Sequence, residues 1–435
     1  MPASVSRRSF LSSSGLGLVS LASLSALPAV AFGTGVPRIP QAPDPVGGKT
    51  GPKEKLPAFH SPVEQKGEKL PGLPPDQRIG FALVGLGKLT VDELLPAFAQ
   101  SRLCKPVALV SGDREKAGRI ARQYGIPEKG LYSYKDFDRI AENPDVQVIY
   151  IVLPNSMHKE YTLRAAKAGK HVLCEKPMAV NAAEAEEMVQ ACANAKVKLM
   201  VAYRQQYEPN NRIIRTMIAD KTFGRIKLFD GVITQNQDGS TREGINQWRH
   251  KKALAGGGAL PDIGLYCLNG VRYLTGEEPE EVFGTMNSTP GDTRFKEVEE
   301  NFVWQMRFPS GLIASCQTAY GAYTNKYFRF SAENGWFGMD PAYKYNGNKL
   351  MVASADGNVE NRATPAIAEV NQFAAEMDHM ADCVRNKKAP MSPGEEGLQD
   401  HRIMDALYES ARSRKPVSLK RYDKLDVFRN PKSLV

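Results

Sequence analysis

The sequence lacks a concentrated run of basic residues. Its 435 residues include 57 Lys and Arg against 48 Asp and Glu, a formal net charge of +9, and the cationic residues are scattered among acidic ones. Nucleic-acid-binding domains gather their basic residues in one patch or stripe, so we expect no nucleic-acid partner. A hydrophobic fraction of 42% and a charged fraction of 24% are typical of a globular protein. At roughly 150 residues per domain, the length predicts two or three domains.

Cysteine and histidine are scarce and show no metal-site spacing. His158 and His171 stand far apart in the sequence without a carboxylate partner, and no CxxC pair occurs. Zinc sites and disulfide frameworks need closely patterned ligands or cysteines, so we expect no metal. Several cysteines lie in apolar, strand-like runs and are expected to be buried free thiols. The six cysteines are Cys104, Cys174, Cys192, Cys267, Cys316 and Cys383.

The N-terminal region lacks a continuous apolar run of about 20 residues, the length that a membrane-spanning helix needs. Serine and glycine residues interrupt the stretch Leu11–Val30. The pair Arg7 and Arg8, followed by this stretch and by the small-x-small sequence Ala29–Ala31, is typical of a twin-arginine export signal. We therefore predict a signal peptide over residues 1–31, a periplasmic mature protein and no membrane attachment after signal removal. An ordinary Sec signal is the alternative.

Proline is concentrated just after this region. Ten of the 29 prolines lie between Val36 and Pro75, so the segment 32–77 cannot form a helix or a central strand and should be extended. A disordered spacer and an arm that crosses another subunit are the two interpretations. Spaced apolar residues favour the arm: Leu56, Phe59, Leu70 and Leu73.

A short apolar strand, Ile79–Val84, leads directly into the sequence Gly85-Leu86-Gly87-Lys88-Leu89-Thr90 and then into a helical pattern. This strand–turn–helix context is typical of a dinucleotide-binding Rossmann domain. Gly85 permits the tight turn, and Gly87 lets the backbone approach a pyrophosphate. The third glycine of the fingerprint is replaced by Thr90. We predict that this domain extends over residues 78–200.

The next strand indicates which nucleotide binds. It ends at Ser111, followed by Arg114 and Lys116, where an NAD enzyme would carry an acid for the ribose hydroxyls. A hydroxyl and a cation favour a 2′-phosphate, so we predict NADP. Asp113 argues for NAD, because its carboxylate could still reach a ribose.

Polar clusters follow two further predicted strands. Val148–Leu153 ends at Pro154, Asn155 and the following residues to His158, and His171–Cys174 ends at Glu175-Lys176-Pro177. Ligands of open α/β sheets bind outside the carboxyl ends of the strands. The sequence therefore predicts that both clusters contribute to one site.

The motifs together resemble those of the glucose–fructose oxidoreductase, inositol dehydrogenase and rhizopine-catabolism oxidoreductase family, here called the GFO/IDH/MocA family. The resemblance covers residues 78 to 420. Besides the sequences above, it rests on Gly169–Val172, Gly256–Tyr266, Ser392–Gly397, Gln247–Arg249 and Trp304–Phe308. In most family members the motif that corresponds to Gly256–Tyr266 ends with histidine. This chain has Tyr266 at that position, as in the glucose–fructose oxidoreductase group.

The resemblance implies an α/β fold, with the N-terminal Rossmann domain followed by a C-terminal α+β domain over 201–435. That domain has an open, mostly antiparallel sheet, which covers the site with one face and pairs subunits through the other. Alternating strand-like runs in the second half agree with this architecture. A homodimer and a homotetramer are both compatible with it.

The resemblance also implies residue roles. It assigns catalysis to Lys176, Asp262 and Tyr266, and substrate binding to these three and Tyr203. It implies a flexible glycine turn, Gly256–Gly258, beside the cofactor. It assigns cofactor binding to Gly85, Leu86, Gly87, Lys88, Leu89, Ser111, Lys116, Pro154, Asn155, His158, Glu175, Lys176, Arg204, Trp248 and Arg249.

The chemistry of these residue types suits hydride transfer from a sugar. A hydride leaves C1 of an aldose only as the hydroxyl proton departs, so the site needs a base. A phenol ordinarily ionises near pH 10, and a neighbouring ammonium favours the ionised form. Lys176 is expected to supply that ammonium to Tyr266. Asp262, one helical turn before Tyr266, is expected to orient Lys176 or to bind a sugar hydroxyl.

The expected activity is a periplasmic, NADP-containing sugar oxidoreductase with ping-pong kinetics. It would oxidise an aldose to its lactone and reduce a second sugar to an alditol without releasing the nucleotide. The alternatives are an NAD(P)-dependent sugar or cyclitol dehydrogenase with exchangeable cofactor, and a non-catalytic sugar or nucleotide sensor. The identity of the two sugars stays open at this point.

Overall fold

The computed structural model describes residues 72–236 and 247–420. The predicted signal peptide over 1–31 and the proline-rich arm as far as residue 71 lie outside the described residues. Within the two described ranges, every helix is too short or too polar to cross a lipid bilayer.

The first sheet is parallel, and its central strands are completely buried. Its strands are β1 (Ile79–Val84), β2 (Cys104–Val110), β3 (Leu131–Tyr132), β4 (Val148–Ile151), β5 (His171–Cys174) and β6 (Leu199–Val201). Their spatial order in the described part of the chain is β3-β2-β1-β4-β5-β6. The strand order reverses between β1 and β4, and a doubly wound sheet binds its ligand outside the carboxyl ends at such a point. Burial on both faces explains why these strands are continuously apolar.

Helices cover both faces of this sheet. They are α1 (Leu95–Gln100), α2 (Arg114–Tyr124), α3 (His158–Lys167) and α4 (Ala182–Asn194). The first two pack on one face and the last two on the other. Gly169, at φ +70°, follows α3 and provides the left-handed backbone at which helices commonly end.

The second half of the described chain forms a larger open sheet and five helices. The helices are α5 (Pro209–Ala219), α6 (Lys252–Ala255), α7 (Leu265–Thr275), α8 (Gln372–Arg385) and α9 (Gly394–Ser413). The strands are β7 (Ile226–Thr234), β8 (Glu281–Asn287), β9 (Asn301–Arg307), β10 (Ile313–Ala319), β11 (Asn325–Ala332), β12 (Gly335–Met339), β13 (Leu350–Asp356), β14 (Val359–Ala363) and β15 (Val417–Ser418).

Strand pairing in the second sheet is mostly antiparallel. The order is β14-β13-β12-β11-β7-β10-β9-β8-β15, and among the described strands β7 and β10 form the one parallel pair. The predicted fold class, a Rossmann domain followed by an α+β domain with an open, mostly antiparallel sheet, is confirmed. The six cysteines are buried free thiols, as the sequence predicts.

Helix α8 belongs to the core of the first domain although it comes late in the chain. Phe373, Met377 and Met380 pack with Phe81 and Phe98 around the first sheet. The sequence boundaries place this helix in the second domain, whereas the structure returns it to the first. This return brings α8 up to the carboxyl ends of the parallel strands.

Candidate active site

A cavity of about 1230 Å³ lies between the carboxyl ends of the parallel strands and one face of the second sheet. Typical small-molecule pockets measure about 300–1,000 Å³, so this cavity has room for a dinucleotide beside a smaller molecule. Most residues that the sequence assigns to the site line it. They are Gly85, Leu86, Gly87, Lys88, Leu89, Ser111, Lys116, Pro154, Asn155, Glu175, Lys176, Arg204, Trp248, Arg249, Asp262 and Tyr266.

The glycine turn after β1 forms one end of the cavity. Gly85 has φ +96°, and a Cβ there would lie 2.2 Å from the carbonyl oxygen of Val152. A Cβ on Gly87 would meet no atom within 4 Å, so the backbone at this residue faces open space. Thr90 occupies the third glycine position and donates from Oγ1 to the carbonyl of Gly85 at 2.7 Å. The departure from the fingerprint therefore closes the turn rather than opening it, and the residues fit a pyrophosphate.

The tip of β2 presents a hydroxyl and an ammonium to the same end. Asp113 caps helix α2, because its Oδ1 accepts from the backbone nitrogen of Lys116 at 2.8 Å. The backbone nitrogen of Asp113 in turn donates to Oγ of Ser111 at 3.1 Å. The ammonium of Lys116 donates to the carbonyl of Leu86 in the glycine turn. Ser111, Asp113 and Lys116 all line this end of the cavity, and one oxygen of the acid is engaged in capping the helix.

Lys176 and Asp262 meet at the other end of the cavity. The Nζ atom of Lys176 donates to the main-chain oxygen of Asp262 at 2.7 Å and lies 3.3 Å from its Oδ1. Oδ2 of the same carboxylate accepts from the hydroxyl of Tyr320 at 2.7 Å and lies 3.3 Å from Nε of Arg249. The end of β5 supplies the lysine, and the π-helical turn that leads into α7 supplies the aspartate. Three partners thus hold the carboxylate in one orientation.

Both groups are charged at neutral pH. Burial alone would favour the neutral amine, but coulombic interactions with Tyr266, Asp262 and Glu175 raise the pKa of Lys176. Burial likewise opposes the carboxylate, yet Lys176 and Arg249 lower the pKa of Asp262 to about 2. An ammonium–carboxylate pair is therefore present throughout the physiological pH range.

The ring of Tyr266 lies close to two cations. Nζ of Lys176 is 4.9 Å from the ring centroid, and the guanidinium carbon of Arg204 is also 4.9 Å from it. Among the described residues no group is hydrogen-bonded to the Tyr266 hydroxyl, and the side chain lines the cavity. The phenol is thus free to exchange a proton with a bound molecule while two positive charges stand beside it.

Arg204 is a fixed charge at this end of the cavity. It is 5% exposed and donates to Oε1 of Gln372 at 2.6 Å and to the carbonyl of Tyr343 at 2.8 Å. Its guanidinium also lies 4.5 Å from the ring centroid of Tyr345. These bonds fix the guanidinium close to the rings of Tyr266 and Tyr345.

Asn155, Trp248 and Arg249 complete the wall between the two domains. Nδ2 of Asn155 donates to the carbonyl of Ala255 at 2.9 Å. The guanidinium of Arg249 lies 4.5 Å from the ring centroid of Trp248. Helix α6, which follows the turn carrying Trp248 and Arg249, is therefore bonded to the first domain through Ala255. The turn itself pairs with Asp262 through Arg249.

Comparisons with known proteins match the described domains. The family model "Oxidoreductase family, NAD-binding Rossmann fold" (GFO/IDH/MocA) matches residues 79–203, and the model of its C-terminal alpha/beta domain matches residues 215–419. The chain belongs to this family.

Two relatives are similar over most of the chain. D-xylose 1-dehydrogenase [NADP(+)] from Haloarcula marismortui is 31% identical over 346 residues, 79% of this chain and 94% of that protein. The crystal structure of aldose-aldose oxidoreductase from Caulobacter crescentus, complexed with glycerol, is 40% identical with a TM-score of 0.74. It covers 79% of this chain and 100% of that one. Levoglucosan dehydrogenase, in complex with NADH and levoglucosan, shares the fold at a TM-score of 0.69 and 24% identity.

Two residues that the family resemblance assigns to ligand binding lie behind the cavity wall. His158 is completely buried, and its ring nitrogens lie 3.0 Å from the carbonyl of Pro177 and 2.9 Å from that of Leu153. Tyr203 donates its buried hydroxyl to Asp400 at 2.6 Å. Neither side chain lines the cavity, although Tyr203 lines a small pocket together with Lys176 and Tyr266. The assignments of His158 to the cofactor and Tyr203 to the substrate stay predictions. The contact of His158 with Pro177 fixes the backbone next to Lys176, and the bond of Tyr203 to Asp400 fixes the backbone next to Arg204.

Gly256–Gly258 does not line the cavity either. Oε2 of Glu299 accepts from the nitrogen of Gly258 at 2.9 Å, and Oε1 accepts from that of Leu260 at 2.9 Å. The hydroxyl of Tyr408 donates to the same carboxylate at 3.0 Å. The expected flexible turn is thus a tightly packed start to the segment that carries Asp262 and Tyr266.

Gly258→Ala should destabilise the protein and reduce turnover. A Cβ at this position would lie 1.9 Å from the main-chain oxygen of Glu299, and overpacking of this kind typically costs about 1–3 kcal/mol. Gly270→Ala in α7 is the matched control, because its Cβ would meet only a Tyr343 ring atom at 4.0 Å. Thermal unfolding and kcat measure both effects. Wild-type stability and activity in Gly258→Ala would contradict this packing account.

Lys326 belongs to no motif that the sequence indicates, yet it lines the cavity from β11. Within the described residues its ammonium has no hydrogen-bonding or ion-pair partner. Burial is the main cause that lowers the pKa of Lys326, and the charges of Arg204 and Lys344 lower it further. Strand β11, which carries Lys326, begins at Asn325. Since Phe328 and Phe330 are buried, strand alternation extended backwards would have placed Lys326 on the same face.

Proposed function

We propose that this protein is an NADP-dependent sugar oxidoreductase that oxidises an aldose to its lactone and reduces a second sugar to an alditol. The observation that carries the proposal is the cluster of Lys176, Asp262 and Tyr266 at one end of a dinucleotide-sized cavity. The relatives that act on xylose and on aldoses support the substrate class.

The glycine turn and the tip of β2 would hold the nucleotide. Backbone groups of Gly85–Leu89 suit the pyrophosphate, and Ser111 with Lys116 suits the 2′-phosphate. When bound, the nicotinamide supplies hydride chemistry at the far end of the cavity. Asn155, Glu175 and Arg204 are among the residues that line that end, and they would position the nicotinamide.

The protein residues manage the proton. During oxidation, the C1 hydroxyl of the aldose would lose its proton to the ionised phenolic oxygen of Tyr266, and the C1 hydrogen would leave with its electron pair, for which the nicotinamide is the acceptor. During reduction of the second sugar, Tyr266 returns a proton to the carbonyl oxygen. Lys176, held by Asp262, stabilises negative charge on either oxygen. Lys326 is placed to donate a hydrogen bond to another sugar oxygen.

Retention of the nucleotide is part of the proposal. Protein dialysed extensively and given no nucleotide should form a lactone and an alditol only when an aldose and a second sugar are both present. A panel of sugars, tested singly and in pairs with product identification, also identifies the two substrates. Product formation that requires added NADP would overturn this part.

A dehydrogenase with exchangeable cofactor is the second candidate. It is favoured by the similarity to D-xylose 1-dehydrogenase [NADP(+)] over 94% of that protein. In that case added NADP would be reduced by one sugar in many turnovers, and the dialysed protein would contain no nucleotide.

Ser111→Asp should shift nucleotide preference from NADP to NAD. The new carboxylate would repel a 2′-phosphate, and we expect the Kd for NADP to rise at least about tenfold while NAD binds as well or better. Titration calorimetry of nucleotide-depleted protein measures both constants. Ser111→Ala controls for loss of the hydroxyl. Unchanged NADP affinity in Ser111→Asp would contradict the assigned phosphate position.

We also propose twin-arginine export to the periplasm and assembly into a homodimer or homotetramer. The first rests on the sequence of residues 1–31, and cell fractionation tests it. The second is supported by four apolar side chains on the outer face of the second sheet that are 38% to 52% exposed, a surface that a second copy would cover. Light scattering tests it, and a monomer would contradict it. The four are Leu228, Phe283, Val303 and Ile313.

A further inference from the structure

Two buried acids share one phenol behind the reactive end of the cavity. The hydroxyl oxygen of Tyr150, on β4, lies 2.8 Å from Oε1 of Glu175 and 3.1 Å from Oε1 of Glu376. Glu175 directly precedes Lys176 and lines the cavity, whereas Glu376 comes from helix α8. Tyr150 and Glu376 are completely buried, and Glu175 is 8% exposed.

Counting protons determines the charge of this group. A phenol has one proton and donates it to one acceptor. Both contacts of Tyr150 are hydrogen bonds only if one of the acids carries its own proton and donates it to the phenolic oxygen. Two buried carboxylates this close would also repel each other strongly. The two acids together therefore carry one proton and one negative charge.

The surroundings decide which acid is ionised. Oε2 of Glu376 has no hydrogen-bond partner among the described residues, so an ionised Glu376 would leave a bare charged oxygen in the interior. Oε2 of Glu175 instead accepts from the backbone nitrogen of Lys176 at 3.2 Å. The charge therefore belongs on Glu175, and the proton on Glu376.

The charges around the two acids agree with this assignment. Burial and then repulsion by Glu175 raise the pKa of Glu376 well above its ordinary value. Burial also raises the pKa of Glu175, but Lys176, Tyr150 and Arg204 oppose that rise. The titratable and charged groups that face Glu376 from the packed elements are Tyr150, Glu175, Arg204 and Tyr207.

We propose that Glu376 is a positioning residue that stays protonated and, through Tyr150, keeps Glu175 ionised beside Lys176. The ionised Glu175 then supports the ammonium that serves Tyr266. The protonation states rest on geometry alone, whereas their effect on turnover rests on the proposed function.

Infrared difference spectroscopy of the full protein tests the protonation states. The carbonyl stretch of a protonated, buried carboxyl should be absent from Glu376→Gln, so that it appears as a positive band in the wild-type minus Glu376→Gln spectrum, and it should remain in Glu175→Gln. In unmodified protein the same band should persist up to at least about pH 8. Its presence in Glu376→Gln, its loss in Glu175→Gln, or its loss from unmodified protein near neutral pH would each overturn the assignment.

The pH dependence of kcat/KM tests the positioning role. Glu376→Leu and Tyr150→Phe each break the chain of hydrogen bonds, so Glu175 should gain a proton more readily. The acid limb should move to higher pH by up to about one unit, the effect of one hydrogen bond. Glu376→Gln restores a neutral donor and should restore the wild-type limb. If the acid limb does not move in Glu376→Leu and Tyr150→Phe, or if it moves in Glu376→Gln, the positioning role is wrong even where the infrared result holds.

Discussion

Replacing Tyr266 with phenylalanine should lower kcat by about 10²–10⁴-fold and leave nucleotide content unchanged. This range is what a positioned general acid–base group ordinarily contributes. The ring would keep its place beside Lys176 and Arg204, since both cations lie 4.9 Å from its centroid and neither contact needs the hydroxyl. Rate measurements with aldose and second sugar, together with the nucleotide extracted from each preparation, separate chemistry from binding.

Tyr345→Phe is the matched comparison for this variant. Its ring lies 4.5 Å from the Arg204 guanidinium and also lines the cavity, so it tests loss of a phenolic hydroxyl in the same surroundings. We expect less than a tenfold change in kcat, roughly the effect of one neutral hydrogen bond. Equal losses in the two variants would contradict a specific role of Tyr266.

Lys176→Met should lower kcat/KM by at least about 10²-fold. Methionine fills a similar volume but removes the only ammonium that is bonded to Asp262 among the described residues. Negative charge that develops on the phenolic or sugar oxygen would then lack its nearest positive partner, and interactions with such charge often account for the largest part of catalysis.

The stability of Lys176→Met should fall less than its activity. Arg249 and Tyr320 still hold the carboxylate of Asp262 after the substitution, so the buried charge keeps two partners. Lys159→Met is the control, because that lysine pairs with Glu187 outside the cavity. Thermal unfolding and steady-state rates on the three proteins measure the difference. Full activity in Lys176→Met would exclude the lysine from the chemistry.

The first domain could be predicted from the sequence in detail because its strands are buried on both faces. Continuous apolar runs such as Val148–Ile151 therefore stand out, and the polar residues that follow each run indicate the ligand edge. Helix α8 was the exception. Its amphipathic pattern predicts a helix that packs on a hydrophobic core. The pattern does not indicate whether that core belongs to the first or the second domain.

Sequence motifs locate the backbone of the candidate site residues, but they do not determine where each side chain points. Lys176 and Asp262 follow from their motifs, and the structure brings them within hydrogen-bonding distance. His158 and Tyr203 belong to the same motifs, but their side chains turn inward to buried carbonyl and carboxylate partners. Contacts between distant segments, such as that of Glu376 with Tyr150, leave no local trace in the sequence.

The central claim is that the protein's own bound nucleotide carries hydride between two sugars while Tyr266 carries the proton. The most direct test is to mix the dialysed protein with an aldose alone in a stopped-flow instrument, without added nucleotide, and then with a second sugar. The account predicts that absorbance of reduced nicotinamide appears with the aldose, reaches one equivalent per active site, and disappears when the second sugar is added. Absence of that absorbance with every aldose, or its appearance only when NADP is supplied, would contradict the account.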